Sequence, residues 1–281
     1  MRNNIVLLFS KVPEVGLVKT RLSVLKDGLF TAEDACELYR CMLLDVVEII
    51  CAALNDLEAE EASKAGASAA NCYELVVSTT PPSNVAVMQE LLASAGLSRP
   101  ITVIADEGAS FDEHYNHAFA QCWERGADCI LSMGADMPAL TKADVKFGFE
   151  QLHRLCAMEG SGIVLAPDQE MGVSVVGWTR ETSFDHTGVF YNADGLTVLP
   201  AYIAKAREAG LPALWLPPIP DVDTMADFFH NVTLVNALAY CADFDDVQPA
   251  HRTAEKFAEL GFREIRVAPN NLFDPRESID V

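Results

Sequence analysis

The feature that most constrains this chain is a repeated alternation of short apolar runs with longer segments of helical spacing. The runs lie at residues 4–10, 73–79, 101–105, 128–134, 162–167, 172–178 and 212–217. They are short and rich in Val, Ile and Leu, the pattern of strands covered on both faces. Between them, Thr31 reads as an N-cap with Asp34 in the first turn. Ala35, Leu38, Met42, Val46, Ile49 and Ile50 then follow helical spacing to about Leu54. Further helices are expected over 84–95, 111–125, 141–158 and 194–209, and one beginning near Asp223. This order predicts an α/β chain, a three-layer sandwich around a mostly parallel central sheet. The runs at 162–167 and 172–178 are close enough to form a hairpin or neighbouring strands. The Ala-, Ser- and Glu-rich stretch from Asn55 to Cys72 reads as a surface insertion or a loosely connected helix end. After about residue 242 the periodicity weakens. The chain therefore divides into a domain over 1–242 and an extension over 243–281, with a helix at 251–260, a strand at "REIRV" and a polar tail. That extension could cap the sheet or form a dimer contact, which leaves a homo-oligomer open.

The 281 residues, 50% of them hydrophobic, are ample for one large core. The formal charge is −21, which disfavours nucleic acid and anionic lipid as partners. It is also unevenly spread. Residues 1–26 carry Arg2, Lys11, Lys19, Arg21 and Lys26 against Glu14 alone, a net +4 that leaves −25 on the rest. A local cationic site in an acidic chain suits a small anionic ligand. The eight cysteines form no CxxC and no zinc spacing, as expected of thiols in a reducing cytoplasm. No signal peptide is recognisable, and no apolar run reaches the roughly 18 residues of a membrane span.

Ligands of open α/β sheets bind beyond the carboxyl ends of the strands. At those ends the sequence places Lys11, Lys19, Thr20 and Arg21 after the first run, and Asp106 and Glu107 after the third. Asp136 follows the fourth, Asp168 and Glu170 follow the fifth, and Asp221 and Asp223 follow the last. Lys and Arg donors take phosphate oxygens directly, whereas carboxylates need a hard cation such as Mg²⁺ or Mn²⁺ between themselves and a phosphate. A nucleotide with a divalent ion needs both sets together. Each signal alone has a plain alternative. The basic loop lacks GxxxxGK[ST] and could be an exposed turn. Asp136 could be a turn residue and "DVDT" an ordinary helix cap. Asp106, Glu107, Asp112 and Glu113 read as a solvated helix start, His114 and His117 as structural or surface residues, and Trp178 and Trp215 as core. No GxGxxG follows the first run, which argues against a dinucleotide-binding dehydrogenase.

Three motifs in this order carry a resemblance. "KVPEVGLVKTRL", "GADMP" and "DVDT" resemble those of a bacterial family of uncharacterised transferases with a glycosyltransferase-A-like (nucleotide-diphospho-sugar transferase) fold. The family's K-x-P-x-x-G-x-x-K-T-R-L falls on Lys11, Pro13, Gly16, Lys19, Thr20, Arg21 and Leu22 without a mismatch. Its G-x-D-x-P falls on Gly134, Asp136 and Pro138, and its D-V-D-T on Asp221 to Thr224. The resemblance spans about residues 4–235. It implies that Lys11, Gly16, Lys19, Thr20 and Arg21 form the nucleotide-phosphate loop, that Asp136 holds the metal, and that Asp223 and Asp221 lie near it. The family's G-P-x-x-D-G-G-Y-like segment reads here "APDQEMGV", where Pro167 and Gly172 keep the pattern and Met171 replaces a glycine. Its L-G-x-R-M-like stretch is altered to "FDEHY". Asp168 and Glu170 are the carboxylates available as a general base.

The expectation is a cytoplasmic, Mg²⁺- or Mn²⁺-dependent transferase that takes a nucleoside diphosphate sugar to an unknown acceptor. A nucleotidylyltransferase using a nucleoside triphosphate is the first alternative. A non-catalytic nucleotide-binding or scaffold protein with an altered acceptor site is the second.

Overall fold

The computed structural model describes residues 2–65, 71–158 and 161–266. Seven strands form one sheet: β1 (Asn3–Phe9), β2 (Cys72–Thr79), β3 (Thr102–Ala105), β4 (Cys129–Gly134), β5 (Ile163–Pro167), β6 (Val173–Thr179) and β7 (Ala213–Trp215). Their order is β3-β2-β1-β4-β6-β5-β7. Only β6 runs against its neighbours β4 and β5; the other pairings are parallel. The close pair of runs is thus the β5–β6 hairpin, and its turn brings the start of β6 to the edge where the parallel strands end.

Among the described residues there are seven α-helices: α1 (Ala32–Ala65), α2 (Asn84–Ser94), α3 (Phe111–Glu124), α4 (Lys142–Cys156), α5 (Val198–Glu208), α6 (Met225–Cys241) and α7 (His251–Glu259). Strand side chains alternate between two cores, as the period of two requires. Val6 and Leu8 join Leu75, Val77, Leu131 and Met133 under α1, α2 and α4. Ile5 and Leu7 join Val76, Ile130, Leu165 and Trp178 under α3 and α5. A third core lies away from the sheet. It packs Val18, Leu22 and Phe30 of the β1–α1 loop against Leu38 and Met42 of α1, Phe228 and Val232 of α6, and Phe257 of α7.

The structure corrects several expectations. α1 runs on to Ala65 rather than stopping near Leu54, so of the two readings of the stretch after Leu54 the helix end holds and the insertion does not. Glu, Ala and Lys favour helix. Glu58 and Glu60 also pair with Arg99 and Lys146, and Glu61 accepts from Asn71 and Tyr73. α5 begins at Val198, four residues after the expected Asp194. Residues 263–266 form no strand, and Val267 lies outside the described residues. Trp178 is core, but Trp215 is 57% exposed on the three-residue edge strand β7. α7 is held by Asp45 of α1, which accepts the Arg252 and Thr253 backbone N–H groups at its N-terminus, where a carboxylate is favoured. No described helix is long and apolar enough to cross a membrane.

Candidate active site

The carboxyl ends of the parallel strands open into a cleft of about 660 Å³. Its cationic side is the β1–α1 loop. Ser10 Oγ and Tyr39 Oη are 2.9 Å apart, and the Lys11 N–H donates to the same phenol, so the chain leaves β1 on a fixed course. Val18 and Leu22 then anchor the loop in the third core. Gly16 takes φ +79°, which costs glycine nothing, and Gly28 packs so tightly that a Cβ would meet the Leu22 carbonyl carbon at 2.1 Å.

Lys19 takes φ +45°, a left-handed conformation for a residue with a side chain. Its side chain is 6% exposed, and its Nζ lies 2.5 Å from Asp136 Oδ2 and 2.8 Å from Asp223 Oδ1. The expected phosphate ligand and the expected metal ligands are therefore joined to each other. Burial alone would lower the Lys19 pKa, but Asp136 and Asp223 outweigh it and hold the ammonium charged. The same Lys19 charge holds Asp223 below the usual carboxylate range.

The two acidic segments are tied through the backbone, since Val222 N–H donates to the Asp136 carbonyl at 3.0 Å and Val222 is wholly buried. α6 is capped by Thr224 with Asp227 in a capping box, which leaves Asp223 free of that duty. "DVDT" therefore serves both readings: Thr224 caps and Asp223 faces the cleft. Asp221 also lines the cleft and accepts from Gln169 Nε2 at 3.1 Å. Burial, then Asp136 and Asp223, push its pKa up to about 8.

That shift has a consequence for stability. An unfolded Asp loses its proton near pH 4, while Asp221 in the fold keeps it until about 8. Over that window the folded state binds the extra proton, so stability falls as pH rises. We expect the melting temperature of the wild type to drop between pH 5 and 8 more steeply than that of Asp221→Asn. Parallel slopes in differential scanning fluorimetry would contradict the assignment.

The remaining predicted residues divide. Lys11 and Asp168 line the cleft; Gly16, Thr20, Arg21 and Glu170 are not among its lining residues. Arg21 is 64% exposed, with its guanidinium 3.7 Å from Asp223 Oδ2. Asp168 Oδ1 accepts the Glu170 and Gly172 N–H groups at 2.6 and 2.7 Å, closing the turn before β6. A Cβ on Gly172 would meet Asp168 Oδ2 at 1.9 Å, so a side chain there would have to displace the carboxylate that closes the turn. Exposed Glu170 has its pKa raised, first by Asp227.

Asp106 and His114, expected to be solvated or structural, line the cleft as well. Asp106 is buried, not solvated; it accepts from Ser78 Oγ at 2.8 Å and pairs with His114 Nδ1 at 2.6 Å. The carboxylate fixes the proton on Nδ1, and His114 lines the cleft. Phe9 stacks on Tyr115 at 3.8 Å, and Phe111 meets Phe190 edge-on at 4.8 Å, giving the cleft an aromatic surface. The signal available in the sequence was the placement of Asp106 at the end of a strand one helical turn upstream of α3.

Residues 65–193 match the family described as an uncharacterized protein conserved in bacteria (DUF2064). Asp106, His114, Asp136 and Asp168 fall within that stretch, while the Lys19 loop and Asp221–Asp223 lie outside it. A candidate nucleotide-diphospho-sugar transferase from Desulfovibrio desulfuricans G20 superposes with a TM-score of 0.68 at 21% identity, over 95% of this chain and 100% of that one. The chain has the nucleotide-diphospho-sugar transferase fold. A cytidylyltransferase from Leptospira borgpetersenii serovar Hardjo-bovis (strain JB197) aligns over 95% of this chain and 99% of that one, with a TM-score of 0.47 at 11% identity. No curated protein matches the sequence.

Proposed function

We propose that this chain is a metal-dependent transferase acting on a nucleotide-activated donor, with a nucleoside diphosphate sugar as the donor. The observation that carries the reading is the cluster of Asp136, Asp221 and Asp223 around the Lys19 ammonium, set where the parallel strands end. Among the described residues no three His, Cys, Asp or Glu side chains stand in a ready metal-holding group. The donor chemistry nonetheless fits Mg²⁺ or Mn²⁺. Hard carboxylate oxygens line one cleft, a cation already lies between two of them, and burial together with those two carboxylates drives the third, Asp221, to keep its proton. Asp136 and Asp223 would hold the ion with Asp221 beside them, and the bound ion would offset negative charge on the leaving phosphate.

The chain's own groups supply the rest. Arg21, exposed beside Asp223, and Lys11, on the cleft wall, offer donors to phosphate oxygens. Asp168 is the better placed of the two proposed bases, because it lines the cleft and Glu170 does not. His114, with its Nδ1 proton fixed by Asp106, presents its other nitrogen as a second acid–base group.

The test is a melting screen of nucleoside diphosphates, triphosphates and sugar nucleotides with and without Mn²⁺ or Mg²⁺, followed by product analysis. A ligand at 100 times its Kd should stabilise by about 2.7 kcal/mol. Release of a nucleoside diphosphate supports sugar transfer, and release of pyrophosphate would replace it with nucleotidylyl transfer. Metal-dependent binding without turnover would favour the scaffold. Absence of any nucleotide shift would defeat the proposal.

A further inference from the structure

We infer that Lys19 is a latch on the cation position of the cleft. Its ammonium holds the place between Asp136 and Asp223 until a divalent ion takes those carboxylates and Lys19 passes to the phosphate groups of the ligand. This rests on the metal-dependent reading above and concerns how that site is controlled.

Three observations carry it. The Lys19 ammonium is paired with two carboxylates and almost fully screened from water, at 2.5 Å from Asp136 and 2.8 Å from Asp223. Lys19 lines the cleft, yet its charge is engaged by the chain's own carboxylates rather than free for an anion. Next, its backbone is left-handed at φ +45°, a conformation that a residue with a Cβ keeps only when its surroundings enforce it. Those surroundings are local. Val18 and Leu22 are buried on either side, and Leu22 N–H donates to the Lys19 carbonyl at 3.0 Å. Release of the side chain would therefore leave the anchors of the loop in place. Finally, the Lys19 ammonium contacts Asp136 and Asp223 while Asp221 lines the same cleft, and Arg21 reaches Asp223 only from the exposed side, at 3.7 Å.

An ammonium and a divalent ion cannot both lie against the same two oxygens, because like charges at contact distance repel. The ion and Lys19 therefore compete. A phosphate-bearing ligand gives Lys19 another anionic partner and ends the competition. The ion and the ligand must then favour each other's binding by the same factor. The closed latch also accounts for the lack of a ready metal-holding group among the described residues.

The experiment titrates wild type, Lys19→Met and Lys19→Gln with Mn²⁺ alone, with free Mn²⁺ counted by electron paramagnetic resonance. Both variants should bind Mn²⁺ at least tenfold more tightly than wild type. Equal or weaker binding, or none in any of the three proteins, overturns the latch. A second readout needs no variant to fold. An N-hydroxysuccinimide acetate labels lysines of the wild type, and mass spectrometry compares Lys19 with the exposed Lys11. Lys19 should be protected in the free protein, and saturating Mn²⁺ should raise its labelling severalfold; unchanged labelling with Mn²⁺ bound overturns the proposal. Neither readout uses a nucleotide. A latch opened by Mn²⁺ in a protein that binds no nucleotide would sink the transferase reading alone. Nucleotide binding with Lys19 unmoved by Mn²⁺ would sink the latch alone.

Discussion

Asp136→Ala should abolish Mn²⁺-dependent ligand binding and reduce turnover of any donor on the order of a thousandfold or more. Asp136 stands at the end of β4, the strand between β1 and β6 in the sheet, so its carboxylate is set by the framework rather than by a free loop. Removing it takes away one proposed metal ligand and one of the two partners of Lys19. The second loss acts on folding. A buried ammonium left with one carboxylate is under-compensated, and breaking a fully buried pair costs about 3–5 kcal/mol. Asp136 keeps a quarter of its side-chain surface in contact with water, so about 1–3 kcal/mol is the appropriate discount. Asp136→Asn keeps the shape and one acceptor, and should lose Mn²⁺ dependence with a smaller fall in melting temperature. Retention of a Mn²⁺-dependent nucleotide shift in either variant would remove Asp136 from the metal site. Parallel isothermal titrations with Mn²⁺ and with nucleotide separate the two effects.

The sheet was legible because fully buried strands must be continuously apolar. Val6 and Leu8 face one core and Ile5 and Leu7 the other, so both residue parities had to be apolar, and the run could not be mistaken for a half-exposed strand. The reversal of β6 was not legible, since an apolar run carries no direction. The end of α1 was not legible because Arg99 and Lys146, the partners of Glu58 and Glu60, lie far along the chain, and Asn71 and Tyr73 meet Glu61 only through the return of the chain into β2.

The site divides along the same line. The positions of Asp136, Asp221 and Asp223 were legible as strand ends, because the topology of a parallel sheet brings those points to one edge. The Lys19 pairing could not be read, as it depends on a left-handed residue inside an irregular loop that turns the side chain back onto the sheet. Nor could the Asp106–His114 pair. The seven intervening positions cross from a strand end into the first turn of α3, and nothing in local spacing fixes which face of that turn meets the strand.

Phe228→Ala should cost about 3–5 kcal/mol, a large share of the roughly 5–15 kcal/mol that holds a domain together. Phe228 is wholly buried and meets Phe30 at 4.9 Å, Phe257 at 5.0 Å and Phe262 at 5.0 Å, all edge-on. Collapse into the space it leaves would need α6, α7 and the β1–α1 loop to move together. Trp178→Ala gives the matched comparison, since Trp178 is equally buried but stacks on Phe119 at 4.4 Å in the core beneath α3 and α5. Both variants should unfold at lower denaturant concentration by similar amounts. Only Phe228→Ala should disturb the cleft's acidic edge below its own transition. Phe228 lies one turn into the helix that Thr224 caps directly after Asp223, while its partner Phe30 ends the loop that carries Lys19. Lys19 acetylation in the absence of metal should therefore rise in Phe228→Ala and stay at the wild-type level in Trp178→Ala. Equal labelling in the two would mean that the third core stabilises the chain without positioning Lys19. The placement of Lys19 would then rest on its two carboxylates alone.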